Sequence, residues 1–110
     1  MKKFKDAFNG IKVSFNHKAI VIQCVLGTFA MVGGIIIKLD YYEWFAFILC
    51  IALVISLEIV NTCIEKTCNL ISEDYNDKIK AIKDMSSAAV LVSSFAALIV
   101  CIICVVRRLI

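Results

Sequence analysis

Four polar side chains recur through the stretch 57–70, LEIVNTCIEKTCNL, at the end of a long apolar run: Glu58, Asn61, Glu65 and Asn69. At 3.6 residues per helical turn these positions share one stripe. An ionisable group at membrane depth costs on the order of 2.5–3.5 kcal/mol even on the milder insertion scale, so the stripe is read as functional. Glu65 and Asn69 are expected near the membrane interface, with Glu58 one to two turns deeper. A shallow carboxylate can hold Mg²⁺, which takes oxygen ligands and keeps waters and substrate phosphates around it. A deeper carboxylate that lipid desolvates can accept a proton from an alcohol. Lys83 can neutralise phosphate charge, and Asp84 and Ser87 are close to it along the chain. Metal ligand, base, cation and hydroxyl at one depth are the parts that phosphoryl transfer needs. Neither a phosphate-binding G-x-x-x-x-G-K-[ST] loop nor the protein-kinase motif set is present.

The elements that must position this stripe are membrane helices. Hydrophobic residues make up 62% of the 110 residues and there is no proline; mean hydropathy is +0.93. A soluble domain holds roughly 45–50% apolar residues, so the composition predicts a single all-α integral membrane domain. Positions 1–18 read as an amphipathic surface helix: Phe4, Phe8, Ile11 and Phe15 recur on one face, with Lys2, Lys3, Lys5 and Lys12 on others. No small-residue cleavage site follows, so this start is not read as a cleaved leader. The first span is 19–37, interrupted only by Gln23 and Thr28, with Gly27, Gly33 and Gly34 suited to close helix contact. A short loop, 38–43, leads to the second span and its cytoplasmic extension, 44–70. Tyr41, Tyr42 and Trp44 form an interfacial belt there. A polar loop, 72–80, precedes the third span, 85–106.

Six cysteines might suggest a disulfide scaffold, but nearly all lie inside apolar runs. Cys101-x-x-Cys104 has metal or redox spacing without a nearby histidine, and packing is the favoured reading. Charge sets the orientation. Every lysine and arginine except Lys38, Arg107 and Arg108 lies in the N-terminal segment or between the second and third spans. By the positive-inside rule these two regions face the cytoplasm, and so does the polar stripe.

Glu58-x-x-Asn61-Thr62-x-x-Glu65, then Tyr75, then Ala81-x-Lys83-Asp84-Met85-x-Ser87-Ala88-Ala89-Val90 together resemble the prokaryotic diacylglycerol kinase / undecaprenol kinase family. The resemblance covers nearly the whole chain. It implies a homotrimer of small three-span protomers in the bacterial cytoplasmic membrane, with active sites between protomers. It also implies transfer of the γ-phosphoryl of MgATP to a membrane lipid alcohol, undecaprenol or diacylglycerol, with Mg²⁺ as cofactor. By resemblance Glu58 is the catalytic base and Glu65 a metal ligand. Asn61, Lys83, Asp84 and Tyr75 would contact nucleotide.

The chain departs from the family in two places. His17 and Lys18 stand where the family has a carboxylate at the end of the surface helix, and Asn69 stands where it has an aspartate. An imidazole is a poor Mg²⁺ ligand, whereas Lys18 could contact phosphate directly. Two other readings follow from the residues. One is a non-catalytic relative that keeps the trimer and binds nucleotide or lipid. The other is a small transporter with Glu58 as proton site, which would not need Lys83 and Asp84.

Overall fold

Residues 2–72, 74 and 76–110 are described by the computed structural model. They form four helices: α1 Lys2–Ser14, α2 Lys18–Ile37, α3 Tyr41–Ile71 and α4 Asp77–Leu109. The last three are each long and apolar enough to cross a membrane. At 1.5 Å per residue α2 is roughly 30 Å long, the thickness of a hydrocarbon core, while α3 and α4 reach roughly 46 and 50 Å. The two long helices pack against each other along their length, with α2 against α3.

Each long helix starts earlier than its apolar run. Asp40 caps α3: its carboxylate accepts from the Glu43 amide at 3.0 Å, while the Glu43 side chain accepts from the Asp40 amide at 3.1 Å. This reciprocal capping box satisfies two amides that a helix start leaves unpaired. The connection expected over 38–43 is therefore shorter. Asn76 caps α4 in the same spirit, its side-chain oxygen accepting from Lys78 and Ile79. Positions 77–80 of the expected loop are thus the first turn of a helix.

The C-terminus of α2, the start of α3 and the end of α4 meet at one face. Lys38 takes a left-handed conformation (φ 57°), and its amide and that of Leu39 return to the carbonyls of the last α2 turn. Gly34 lets Leu39 and Trp44 fold over the helix end. A Cβ at this position would come within 2.8 Å of the Leu39 side chain and 3.0 Å of Trp44. Beneath them Leu39, Phe47 and Cys104 form the buried cluster, with Ala30, Val100 and Cys101 against it. Both cysteines of the C-x-x-C pair are packing residues here.

Arg108 locks this face. Its guanidinium donates to both Glu43 carboxylate oxygens at 2.7 Å, to the Ile37 and Lys38 carbonyls at 2.9 and 2.8 Å, and to its own helix at Cys104. All five donors of the planar fork point at acceptors on three helix ends. Arg107 instead makes an exposed pair with Asp40 at 3.0 Å. Replacing Arg108 with Met is expected to lower the melting midpoint in detergent by several degrees, whereas Arg107→Met should leave it nearly unchanged. Equal midpoints for the two variants in a Trp-fluorescence melt would contradict the role assigned to Arg108.

Candidate functional site between the two long helices

The heptad pattern of α4 explains which of its residues meet α3. Ile79, Lys83, Ser86, Val90, Ser93, Ala97, Val100 and Cys104, spaced alternately by four and three, are all buried or half-buried. On α3 the matching seam runs through Glu43, Phe47, Cys50, Val54, Glu58, Asn61, Glu65 and Cys68. At one end the seam is apolar; toward the Cys68 end it turns polar. The stripe read from sequence is thus the continuation of the helix–helix interface. Glu58 and Asn61 are buried within the single chain, at 8% and 7% exposure.

Three side-chain hydrogen bonds organise this polar half. The Asn61 amide nitrogen donates to Glu65 Oε1 at 3.1 Å. The Ser86 hydroxyl on α4 donates to Asn61 Oδ1. Lys83 Nζ donates to Asn69 Oδ1 at 2.6 Å. The Thr62 hydroxyl is spent on its own helix, on the Glu58 carbonyl at 2.9 Å. No fully enclosed side-chain nitrogen or oxygen among the described residues lacks a partner.

The structure brings Glu65, Asn61, Lys83 and Asn69 together, with Glu58 one turn from Asn61 on the same stripe. Lys83 and Asp84 part company. Consecutive residues on a helix point about 100° apart, and Asp84 is held outward by Lys80 at 2.7 Å. Ser87 is exposed, whereas Ser86 meets α3. Ser86 is the site residue that sequence reasoning passed over. The signal was present in the alternating spacing that runs from Ile79 through Lys83 to Val90 and includes position 86, not 87. His17 lines a groove between α1 and α3 with Gly10, Ile20, Thr62 and Lys66, beside the stripe rather than on it. Lys18 is exposed at the first turn of α2. Tyr75 lies outside the described residues.

Comparison with known proteins identifies the family. A family model described as prokaryotic diacylglycerol kinase matches residues 5–105. The chain belongs to the prokaryotic diacylglycerol kinase family. One curated relative is the undecaprenol kinase of Bacillus subtilis (strain 168), 38% identical over 103 residues, which covers 93% of this chain and 81% of that protein. The chain is thus a membrane kinase of lipid metabolism, and the Glu58–Asn69 stripe with Lys83 and Ser86 is its candidate site.

Whether such a site suits Mg²⁺ depends on its donors. No group of three or more His, Cys, Asp or Glu side chains is close enough to hold a metal among the described residues. Mg²⁺ in phosphoryl-transfer sites commonly uses one or two carboxylates, with waters and substrate phosphates completing its shell. Glu65 fits that minimal case. One of its oxygens is tied to Asn61, and the other takes no hydrogen bond among the described residues.

Removing Asn61 should be costly because two partners lose their bonds at once. Asn61→Ala is expected to destabilise the fold by about 1–2 kcal/mol, the worth of such bonds at a membrane-helix interface. Reversible unfolding by SDS titration in mixed micelles checks this. A variant as stable as the parent would mean that the contacts do not join the helices.

Proposed function

We propose that the chain transfers the γ-phosphoryl group of MgATP to the hydroxyl of a membrane lipid alcohol, and that undecaprenol is preferred to diacylglycerol. The observation that carries this reading is the buried Glu58 on the same stripe as Asn61 and Glu65, a stripe that meets Ser86 and Lys83 of α4 through Asn61 and Asn69. The substrate preference rests on the name of the Bacillus subtilis relative.

In this reading the lipid lies in the bilayer with its hydroxyl at Glu58. A cavity of about 130 Å³ lies one turn deeper, between α2, α3 and α4, and is lined by Gln23, Gly27, Val54, Ile55 and Ala97 among others. Its apolar walls suit part of a lipid tail. Glu58 takes the hydroxyl proton as the alcohol oxygen bonds to the γ-phosphorus, and the bond to the β–γ bridging oxygen breaks to release ADP. Lys83 sits on the phosphate side. Its contact with Asn69 is with a neutral amide, so its charge stays available to phosphate. Asn61 holds Glu65 in place, and Mg²⁺ at Glu65 would supply further charge neutralisation. Asp84 and Tyr75 would belong to the nucleotide side by family resemblance.

The site faces the cytoplasm in this account, where ATP is. Arg107 and Arg108, which oppose that orientation in a count of loop charges, are engaged with Asp40 and Glu43. The lysines of the N-terminal segment and of the region around the α3–α4 connection outnumber them, and that count of lysine and arginine supports the orientation. Helix α1 lies on the membrane surface, its Phe4 and Phe8 side chains 63% and 67% exposed in the single chain. Three copies assemble into a trimer, which would cover part of the apolar helix surface that one chain leaves open.

The test is transfer of label from γ-³²P-ATP with Mg²⁺ to undecaprenol and to diacylglycerol in mixed micelles. Labelled undecaprenyl phosphate is expected, with less product from diacylglycerol. Glu58→Gln, nearly isosteric, should fold and assemble yet lose turnover by two or more orders of magnitude. Wild-type rates in Glu58→Gln would remove Glu58 from the role of base. Absence of product from either lipid, with ATP still bound, would favour the non-catalytic reading that Asn69, His17 and Lys18 suggest.

A further inference from the structure

Ser86 is not one of the residues that the sequence motif singled out, yet its hydroxyl ends a polar chain that runs from α4 to the carboxylate expected to face the metal. The direction of that chain is determined by chemistry. The Glu65 oxygen accepts from Asn61, so the Asn61 side that meets it is the NH₂ group. The Asn61 carbonyl oxygen then faces α4, and a hydroxyl that meets it must donate. Ser86 has a single proton. The Lys83 carbonyl one turn earlier, 3.0 Å from the same oxygen, is the competing acceptor, and an Asn61 amide polarised by Glu65 is the stronger draw.

We propose that Ser86 is a positioning residue for Glu65. It fixes the Asn61 amide so that one Glu65 oxygen is tied and the other stays available to a divalent cation. The contact joins positions 25 apart in sequence, on separate helices. With Lys83–Asn69 it is one of two side-chain hydrogen bonds that tie α4 to this end of α3 among the described residues. Without it the amide can turn over, presenting its oxygen to Glu65, and the carboxylate then swings away. A hydrophobic replacement would keep the seam packed but lose that orientation. Helix packing alone would ask only for a small residue at this place, and Ala would serve equally well.

This inference rests on Glu65 as a metal ligand, so the experiment separates the two claims. Mn²⁺, a spin-active substitute for Mg²⁺, is titrated into the full-length protein in micelles with a non-hydrolysable ATP analogue, and bound metal is read by electron paramagnetic resonance. Ser86→Ala is expected to weaken Mn²⁺ binding about three- to tenfold, the equilibrium effect of one hydrogen bond. It should raise the Mg²⁺ concentration at half-maximal rate in parallel, with a smaller change in rate at saturating Mg²⁺. Ser86→Thr, which keeps the hydroxyl, should recover most of the binding. Unchanged Mn²⁺ binding in Ser86→Ala would overturn the positioning role while leaving Glu65 as ligand. So would equal losses in the Ala and Thr variants, which would assign the effect to packing. Wild-type protein that binds no Mn²⁺ with the analogue, or binds it equally after Glu65→Gln, would overturn the metal assignment and this inference with it.

Discussion

Three helices of unequal length that end level at one face must be uneven at the other. The level face is set by Arg108, which grips Glu43 and the last carbonyls of α2. Once α2, α3 and α4 are aligned there, α3 and α4 outrun the 20-residue α2 by roughly three turns. The excess lies at the opposite face. It carries Glu65, Cys68 and Asn69 on α3, with Lys80, Lys83 and Asp84 on α4. A rigid ion-paired contact at one end thus lifts a polar site toward water at the other, from helices that are otherwise built to stay in lipid.

The same seam does two jobs along its length. Phe47, Val54, Val100 and Cys104 pack it where lipid surrounds the helices. Where the seam approaches the interface, Asn61, Glu65, Lys83 and Ser86 replace those residues, and directional hydrogen bonds replace apolar contact. Such bonds contribute modestly between membrane helices, on the order of 0.6 kcal/mol each. Their larger effect is orientation. A carboxylate held by an amide that is itself held from the neighbouring helix has little freedom to wander. Phosphoryl transfer is catalysed mostly by positioning and charge neutralisation, so a site of this kind needs rigid neighbours more than exotic groups.

Much of this was legible beforehand because charge inside an apolar run is conspicuous. Glu58, Asn61 and Glu65 announce one stripe, and the three spans follow from hydropathy and length. Other features were hidden for physical reasons. Asp40 and Glu43 look like loop residues until their side chains are seen to cap a helix start reciprocally. Arg107 and Arg108 look alike in a count of loop charges, yet one is exposed while the other takes five acceptors. Asp84 follows Lys83 in sequence and so seems its partner, but the helical turn sends it outward to Lys80. Ser86 and Ser87 differ only in which of two adjacent positions falls on the seam, a distinction that needs the whole α4 pattern rather than a local motif.

The proposed function requires nucleotide phosphate to be received in the polar half of the α3–α4 seam, beside Lys83. Solid-state NMR dipolar recoupling between the γ-phosphorus of a bound non-hydrolysable ATP analogue and ¹⁵N-labelled lysine side chains, in lipid bilayers, tests it most directly. Phosphorus–nitrogen dephasing is expected on a lysine signal that disappears in Lys83→Met while the analogue still binds. Dephasing that survives in that variant unchanged would place the γ-phosphate elsewhere and contradict the site described.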